Sequence, residues 1–294
     1  MYDLKFTKMH GLGNNYIYIN LWEEQIAEHD LSPLAIDVSN VNTGIGSDGM
    51  ITMGHSSVAD ARMRIFNEDG SESQNCGNGL RCVGKYLYEK GIIKKKNLTI
   101  ETKGGLMHLE LHIDEHSDVV EEITVDMGEP RLQRQQLPVL GGPKEEQALL
   151  QPVEIDQQTF HFTGVSMGNP HAVIFVDDAT QVEVEKIGPL IETHSLFPER
   201  VNVEFVTAKN DRELDFRVWE RGSGITMACG TGACAAVVAG VLNNQLARGE
   251  TVVVHLLGGD LHITWNQDGH VHMRGPATFI CEGEWYGHKG TLTI

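Results

Sequence analysis

A chain of 294 residues has room for two domains of the usual size, about 150 residues each. A 40% hydrophobic fraction can furnish both cores, and a formal charge of −18 (23 basic against 41 acidic side chains) argues against a nucleic-acid or anionic-membrane partner. Five cysteines, an odd number, fit neither a disulfide framework nor paired zinc-binding CxxC motifs, and no export signal or membrane span is legible; the expectation is a cytoplasmic protein with free thiols and no metal.

Alternating residues predict strands at 4–8 and 15–21, joined by the glycine-rich loop Met9-His10-Gly11-Leu12-Gly13-Asn14. Ser32-Pro33 signals a helix running to about Asn40. The irregular loop Thr43 to Gly49 leads into a strand at 50–53, and Arg64-Ile65-Phe66-Asn67 is another short strand. Asn75-Cys76-Gly77-Asn78-Gly79-Leu80-Arg81-Cys82 then opens a helix through Glu89, with Leu80, Val83 and Leu87 on one face and Gly91 as its stop. Strands are predicted at 98–102, 106–113 and 122–127, followed by a turn-rich, mobile stretch from Leu140 to Pro152.

The second half repeats the first. Ser166-Met167-Gly168-Asn169-Pro170-His171 and the strand after it echo the Gly13-Asn14 loop at an offset of 155. A helix near 181–194 answers the one after Ser32, and Val201 to Phe205 answers Asp48 to Ile51. Arg217-Val218-Trp219-Glu220 answers Arg64 to Asn67, and Ala228-Cys229-Gly230-Thr231-Gly232-Ala233-Cys234 answers the first cysteine loop, both at an offset of 153. Residues 233–242 form a helix apolar on all sides, hence buried, and strands at 251–257, 261–266, 270–274 and 277–281 close the chain. Matched landmarks at a nearly constant offset mean internal duplication. The expected fold is mixed α/β, with two pseudo-symmetric homologous domains, each a barrel of strands wrapped around a buried central helix.

Each repeat therefore places a thiol where a glycine-rich turn enters a helix. Unpaired N–H groups and partial positive charge at a helix N-terminus stabilise a thiolate and can hold a carboxylate, so the thiol pKa is expected below its free value of about 8.5. One copy is weak, because buried cysteines are usually inert. Two copies related by an approximate two-fold axis would set Cys76 and Cys229 on opposite sides of one cleft. That is the requirement for inverting a carbon centre: one group removes a proton from one face and another delivers a proton to the other.

MHGLGN, RIFN.DGSE, CGNG.RC, SMGNPH, FPERVN, and WERGSG leading into ACGTGACA, in this order over nearly the whole chain, resemble the diaminopimelate epimerases. The resemblance implies a cofactor-independent enzyme that interconverts LL- and meso-2,6-diaminopimelate in bacterial lysine and peptidoglycan synthesis, usually as a homodimer. It implies an N-terminal domain of residues 1–126 plus a returning strand at 276–294, and a C-terminal domain of residues 127–275. Cys76 and Cys229 would be the acid–base pair. Gly77, Asn78, Gly230 and Thr231 would hold the reacting end of the substrate, and Asn14, Asn67, Asn169, Asn202, Glu220 and Arg221 match substrate-binding positions. His171 and Glu220 match positions that tune the thiols. Gly49 stands where some members carry glutamine, so no substrate contact is expected there.

The chemistry of these side chains fits such roles: asparagine amides are neutral donor–acceptors for a zwitterion, and Arg221 offers a fork for a distal carboxylate. Blander readings stand beside them. Loop asparagines are often turn residues, Glu220 and Arg221 could be a surface ion pair, and His171 a satisfied core histidine. Cys82, Cys234 and Cys281 read as small core residues. Proline racemases and hydroxyproline epimerases also pair thiols in this fold, and a thiol redox switch or an amino-acid-binding protein without chemistry would carry some of the same features.

Overall fold

A computed structural model describes residues 2–74 and 76–287; Met1, Asn75 of the first cysteine motif and 288–294 of the expected returning strand lie outside the described residues. The chain divides into two compact units. One runs from the N-terminus to Val125 and takes back the segment from Gly275, and the other is Asp126–Arg274.

The first unit contains β1 (Tyr2–Gly11), β2 (Asn14–Asn20), α1 (Leu31–Ser39), β3 (Gly49–Gly54), β4 (Ala61–Asn67), the two-residue β5 (Glu72–Ser73), α2 (Gly77–Glu89), β6 (Asn97–Thr102), β7 (Gly105–Asp114) and β8 (Val119–Asp126). The second contains β9 (Gln151–Ile155), β10 (Gln158–Ser166), β11 (Pro170–Phe175), α3 (Val184–Glu192), β12 (Asn202–Asn210), β13 (Glu213–Glu220), the two-residue β14 (Gly224–Ile225), α4 (Gly230–Leu242), β15 (Thr251–Leu256), β16 (Gly259–Trp265) and β17 (Val271–Gly275). The last strand, β18 (Thr278–Gly287), pairs antiparallel with β1 in the first unit.

Pairing in the first unit runs β18-β1-β2-β3-β4-β6-β7-β8, with β2–β3 and β4–β6 parallel and the rest antiparallel. The second unit runs β9-β10-β11-β12-β13-β15-β16-β17, with β11–β12 and β13–β15 parallel at the same two places. A two-residue strand folds back on β4 in one unit and on β13 in the other, just ahead of each cysteine. The two units thus share one topology, as an internal duplication requires.

Each central helix is enclosed by its sheet. In α2 a Cβ on Gly84 would lie 3.0 Å from Leu109 and Leu111 of β7 and 3.7 Å from Ile123 of β8, while the helix also packs on β1 and β2 near the other end of the strand order. The sheet therefore bends around the helix. In α4 every side chain from Ala233 to Ala239 is at most 1% exposed, the burial that an all-apolar helix demands. The outer helices cover the other sheet faces: Leu31, Leu34, Ala35 and Val38 of α1 pack with Ile17, Ile19, Met50 and Phe66, and Val184 and Ile191 of α3 pack with Val203 and Phe205. No helix among the described residues is long and apolar enough to cross a membrane.

Several expectations are corrected. Ser32 is not the cap of α1: the helix starts at Leu31, and the Ser32 hydroxyl donates to Gly70 O (2.8 Å), tying the helix to the turn after β4. Cys281 is not a core residue but is exposed on β18. The stretch from Leu140 is fastened by Leu140 N to Leu196 O (2.9 Å) and by Arg134 N to Glu146 O (2.9 Å), with Ala148 fully buried. Strands β9 and β10 were hidden by Pro152 and by the polar Asp156-Gln157 turn; a proline is tolerated because β9 ends the strand order, where one donor is not needed.

The outer-helix packing supplies a test. Glycine to alanine in a helix ordinarily stabilises by about 1 kcal/mol. A Cβ on Gly188 of α3, however, would lie 2.5 Å from Cβ and 2.6 Å from Cγ of Trp219, the stem of a side chain that cannot swing aside. Gly188→Ala is expected to destabilise by about 1–3 kcal/mol in chemical denaturation; a raised unfolding midpoint would contradict this packing.

Candidate active site

Both cysteines of the repeated motif are N-caps. Cys76 is extended (φ −149°, ψ 113°) and its Sγ accepts the N–H of Gly79 at 3.5 Å; Cys229 (φ −111°, ψ 101°) accepts the N–H of Gly232 at 3.4 Å. The sulfur thus takes the place of the oxygen that usually satisfies an orphan donor of the first turn. The second glycine of each Cys-Gly-x-Gly is dictated by space as well. A Cβ on Gly79 would meet Ile51 Cδ1 at 2.6 Å and Met63 Cε at 2.9 Å, and one on Gly232 would meet Glu204 Oε1 at 2.9 Å and Phe216 at 3.1 Å. The helix end can approach the sheet only where that side chain is missing.

In the first unit a chain of amides surrounds Cys76. Asn14, at the start of β2, accepts at Oδ1 from Asn78 Nδ2 (3.2 Å) and from the Cys76 thiol (3.7 Å), while its Nδ2 donates to Asp48 Oδ2 (2.8 Å). Asn78 is oriented in turn by Arg81, fully buried, whose Nη2 donates to Asn78 Oδ1 (3.0 Å) and whose Nε donates to Pro276 O (3.1 Å). Asn67 is placed differently. Its amide is engaged in its own turn, donating to Ser71 Oγ (2.9 Å) and accepting from Ser73 Oγ (3.3 Å). At Gly49 a Cβ would fall 2.2 Å from Phe66 O, so this backbone position excludes any side chain, glutamine included.

In the second unit the groups around Cys229 are acidic. His171, with no exposed surface, pairs Nδ1 with Glu204 Oε1 at 2.6 Å and Nε2 with Asn169 Oδ1 at 3.0 Å. Asn202 donates from Nδ2 to Pro170 O (2.9 Å) and accepts the N–H of Arg221 (2.9 Å), so it splices the two loops together. The Arg221 guanidinium is exposed and donates to Glu199 O (3.0 Å) rather than pairing with Glu220. Glu220 instead accepts from the Thr226 hydroxyl, and Thr231 Oγ1 lies 3.6 Å from Cys229 Sγ.

The electrostatics overturn one expectation. Burial pushes the Cys76 thiol up, against the lowering pull of the Gly79 and Asn78 N–H groups and of Arg81. Cys229 is driven further, well above its ordinary value, by burial first and then by Glu220 and Glu204. The helix N-terminus does favour each thiolate, but desolvation outweighs it. Burial also raises the Glu220 carboxyl, opposed by Thr226 and His171, and the Tyr16 hydroxyl, to which Cys76 adds.

Glu204, Asp48 and Arg81 escaped the sequence reading. Glu204 left a trace, a carboxylate within the apolar run Val201 to Val206, and Arg81 stood inside the quoted CGNG.RC motif; Asp48 looked like an ordinary loop residue. Among the described residues no group of three or more His, Cys, Asp or Glu side chains is arranged to hold a metal ion.

Compared with known proteins, residues 6–133 and 163–280 match the family described as diaminopimelate epimerase. The diaminopimelate epimerase of Geobacillus sp. (strain WCH70) is 56% identical over 97% of this chain and 100% of its own length, and that of Geobacillus thermodenitrificans (strain NG80-2) is 54% identical over 99% of each. Among solved structures, a phenazine biosynthesis protein of the PhzF family from Bacillus anthracis superposes with a TM-score of 0.69 at 17% identity, covering 97% of this chain and 99% of that one. A hydroxyproline epimerase from Agrobacterium vitis superposes with a TM-score of 0.66 at 14% identity, covering 96% and 90%. At such identities the solved structures establish the fold alone.

Both thiols are expected to be protonated near neutral pH in the ligand-free protein, with Cys229 releasing its proton at higher pH than Cys76. An ultraviolet thiolate titration of Cys229→Ala and Cys76→Ala, each reporting the remaining thiol against the double variant, checks this. Thiolate absorbance already at its plateau near neutrality, or Cys229 ionising first, would contradict it.

Proposed function

The chain belongs to the diaminopimelate epimerase family, and from that premise we propose that it interconverts LL-2,6-diaminopimelate and meso-2,6-diaminopimelate without a cofactor, using Cys76 and Cys229 as its two bases. The reading is carried by one observation: a full-length match to relatives of that name in a chain whose two repeats cap equivalent helices with a thiol. Inversion at the α-carbon needs a proton taken from one face and another given to the opposite face. A sulfur carries a single proton, so a thiolate and a thiol exchange roles as the reaction reverses. High thiol pKa values are compatible with this: the α-ammonium of the substrate brings a positive charge that favours a thiolate beside it.

The N–H groups at the starts of α2 and α4, with the side chains of Asn78 and Thr231, would bind the α-carboxylate and stabilise the carbanion that delocalises towards it. Asn14 supplies an amide beside the start of α2, and Asn169, held on the His171 ring, is proposed as its counterpart in the second unit. Asn67, Asn202, Glu220 and Arg221 are proposed for the distal ammonium and carboxylate. For Asn67 this requires release from its serine partners, and for Arg221 exchange of a single carbonyl contact for a bidentate one. His171 and Glu220 would adjust the thiols. The proposed setting is the cytoplasm, as a homodimer, in lysine and peptidoglycan precursor synthesis; sedimentation at working concentration checks the dimer.

Cys76→Ala and Cys229→Ala are each expected to lower epimerisation of diaminopimelate at least about a hundredfold while keeping the parent's fold by circular dichroism, with only the loss of stability, about 1 kcal/mol, that removing a helix cap brings. Retention of full turnover by either variant would exclude the two-base assignment. The substrate assignment is tested in deuterated water: deuterium should enter the α-position of diaminopimelate and not that of proline, and the reverse would move the chain to a proline-type reaction.

A further inference from the structure

Glu204 belongs to none of the groups assigned above. It lies on β12 in the run Val201-Asn202-Val203-Glu204-Phe205-Val206, with no exposed surface, where its register partner across β13 is Val218. Its Oε1 takes the short contact from His171 Nδ1, and its Oε2 is buried without a hydrogen-bond partner. An ionisable side chain with one unpaired oxygen is costly in a core, and an aliphatic residue would fill the space at no such penalty. A fold that keeps it there gains something other than stability.

The location shows what is gained. The point where a Gly232 Cβ would sit is 2.9 Å from Glu204 Oε1 and 3.1 Å from Cys229 Sγ, which leaves the carboxylate and the sulfur no more than about 6 Å apart, within the range over which a buried charge perturbs a titrating neighbour. On its other side the same oxygen fixes the His171 ring, so that Nε2 faces Asn169, the repeat counterpart of Asn14. One carboxylate thus touches the histidine of β11 and the first turn of α4 together.

We infer that Glu204 is a positioning residue of the Cys229 half-site: it holds the His171 ring in place, and its negative charge favours the protonated sulfur at Cys229, the form that donates in one direction of the reaction. The inference rests on the two-base reading above. Cys229 faces Glu220 from β13, Glu204 from β12, and the Thr231 hydroxyl and Gly232 N–H from α4, while His171 of β11 stands behind Glu204. Both carboxylates, when ionised, push the thiol the same way; burial raises each of them, and His171 pulls each back towards the charged form. The first unit has no counterpart at that position: the strand paired with β2 carries Met50 and Ile51, and the charged side chain in the first turns of α2 is Arg81. A related topology therefore sets two carboxylates beside Cys229, and neutral amides with one buried guanidinium beside Cys76.

Glu204→Gln keeps the shape and the acceptor for His171 while removing the charge. In the Cys76→Ala background, an ultraviolet thiolate titration referenced to the double cysteine variant reads Cys229 alone. Losing a neighbouring negative charge favours the thiolate, so the midpoint should fall by about one pH unit, with Glu204→Asp falling less. With both cysteines present, Glu204→Gln should lower kcat about tenfold or more with little change in KM and move the pH profile in the same direction. A lowered melting temperature with an unmoved midpoint would overturn the inference, leaving Glu204 a packing residue. If the glutamine variant does not fold, Glu204→Asp is read alone: a lowered midpoint supports the role, and an unchanged or raised one overturns it. The titration needs no turnover, so a protein inactive on diaminopimelate could still show the shift, and failure of the activity is told apart from failure of this role.

Discussion

Each unit is built on one contact, a cysteine sulfur accepting the N–H of a glycine three residues further on, at the mouth of a helix its own sheet encloses. The rest of the local structure follows from making that contact inside the protein. The glycine must be bare because strand side chains occupy the place of its Cβ. Strands from both ends of the sheet close on the helix, so α4 is apolar on every side and α2 admits Arg81 and Lys85 only with hydrogen-bond partners. The sulfur, lifted out of water, becomes a poor acid despite the favourable helix end. A thiol that holds its proton until a cation arrives is suited to donating as well as accepting one.

Duplication supplied the frame twice, and divergence then changed the charges. Around Cys76 the neighbours are neutral amides threaded between Asp48 and Arg81, with the guanidinium buried in the helix. Around Cys229 they are two carboxylates, one of them paired with a histidine that has no exposed surface. A reversible inversion at one carbon does not require equal sulfurs, only sulfurs whose proton affinities the bound substrate brings within reach of each other. The difference in charge makes Cys229 the harder of the two sulfurs to ionise.

How much of this could be read without coordinates depended on the range of the interactions. The Cys-Gly-x-Gly turns, the all-apolar run after Cys229 and the alternating strands are local signals, and the corresponding helices and most strands form where those signals lie. Strands β9 and β10 were illegible because Pro152 masks an edge strand, and Cys281 was misplaced because a single cysteine does not reveal which face of a strand it occupies. Desolvation was the largest omission. A helix end beside a cysteine is visible in a motif, whereas the depth of the sulfur depends on residues far away in the chain. Asp48, Arg81 and Glu204 were passed over for the same reason: they have partners 34, 195 and 33 residues away, and only the fold shows that these side chains sit near the sulfurs.

The central claim is that each sulfur serves one face of the α-carbon. It is tested most directly by isotope partition at low conversion: LL-diaminopimelate turned over briefly in deuterated water, with substrate and product separated and weighed for α-deuterium. Two dedicated sulfurs predict meso product carrying solvent deuterium at the inverted centre, beside recovered LL substrate that keeps its original hydrogen. Deuterium entering the recovered substrate as fast as it enters the product would mean one base working both faces, and would contradict the account.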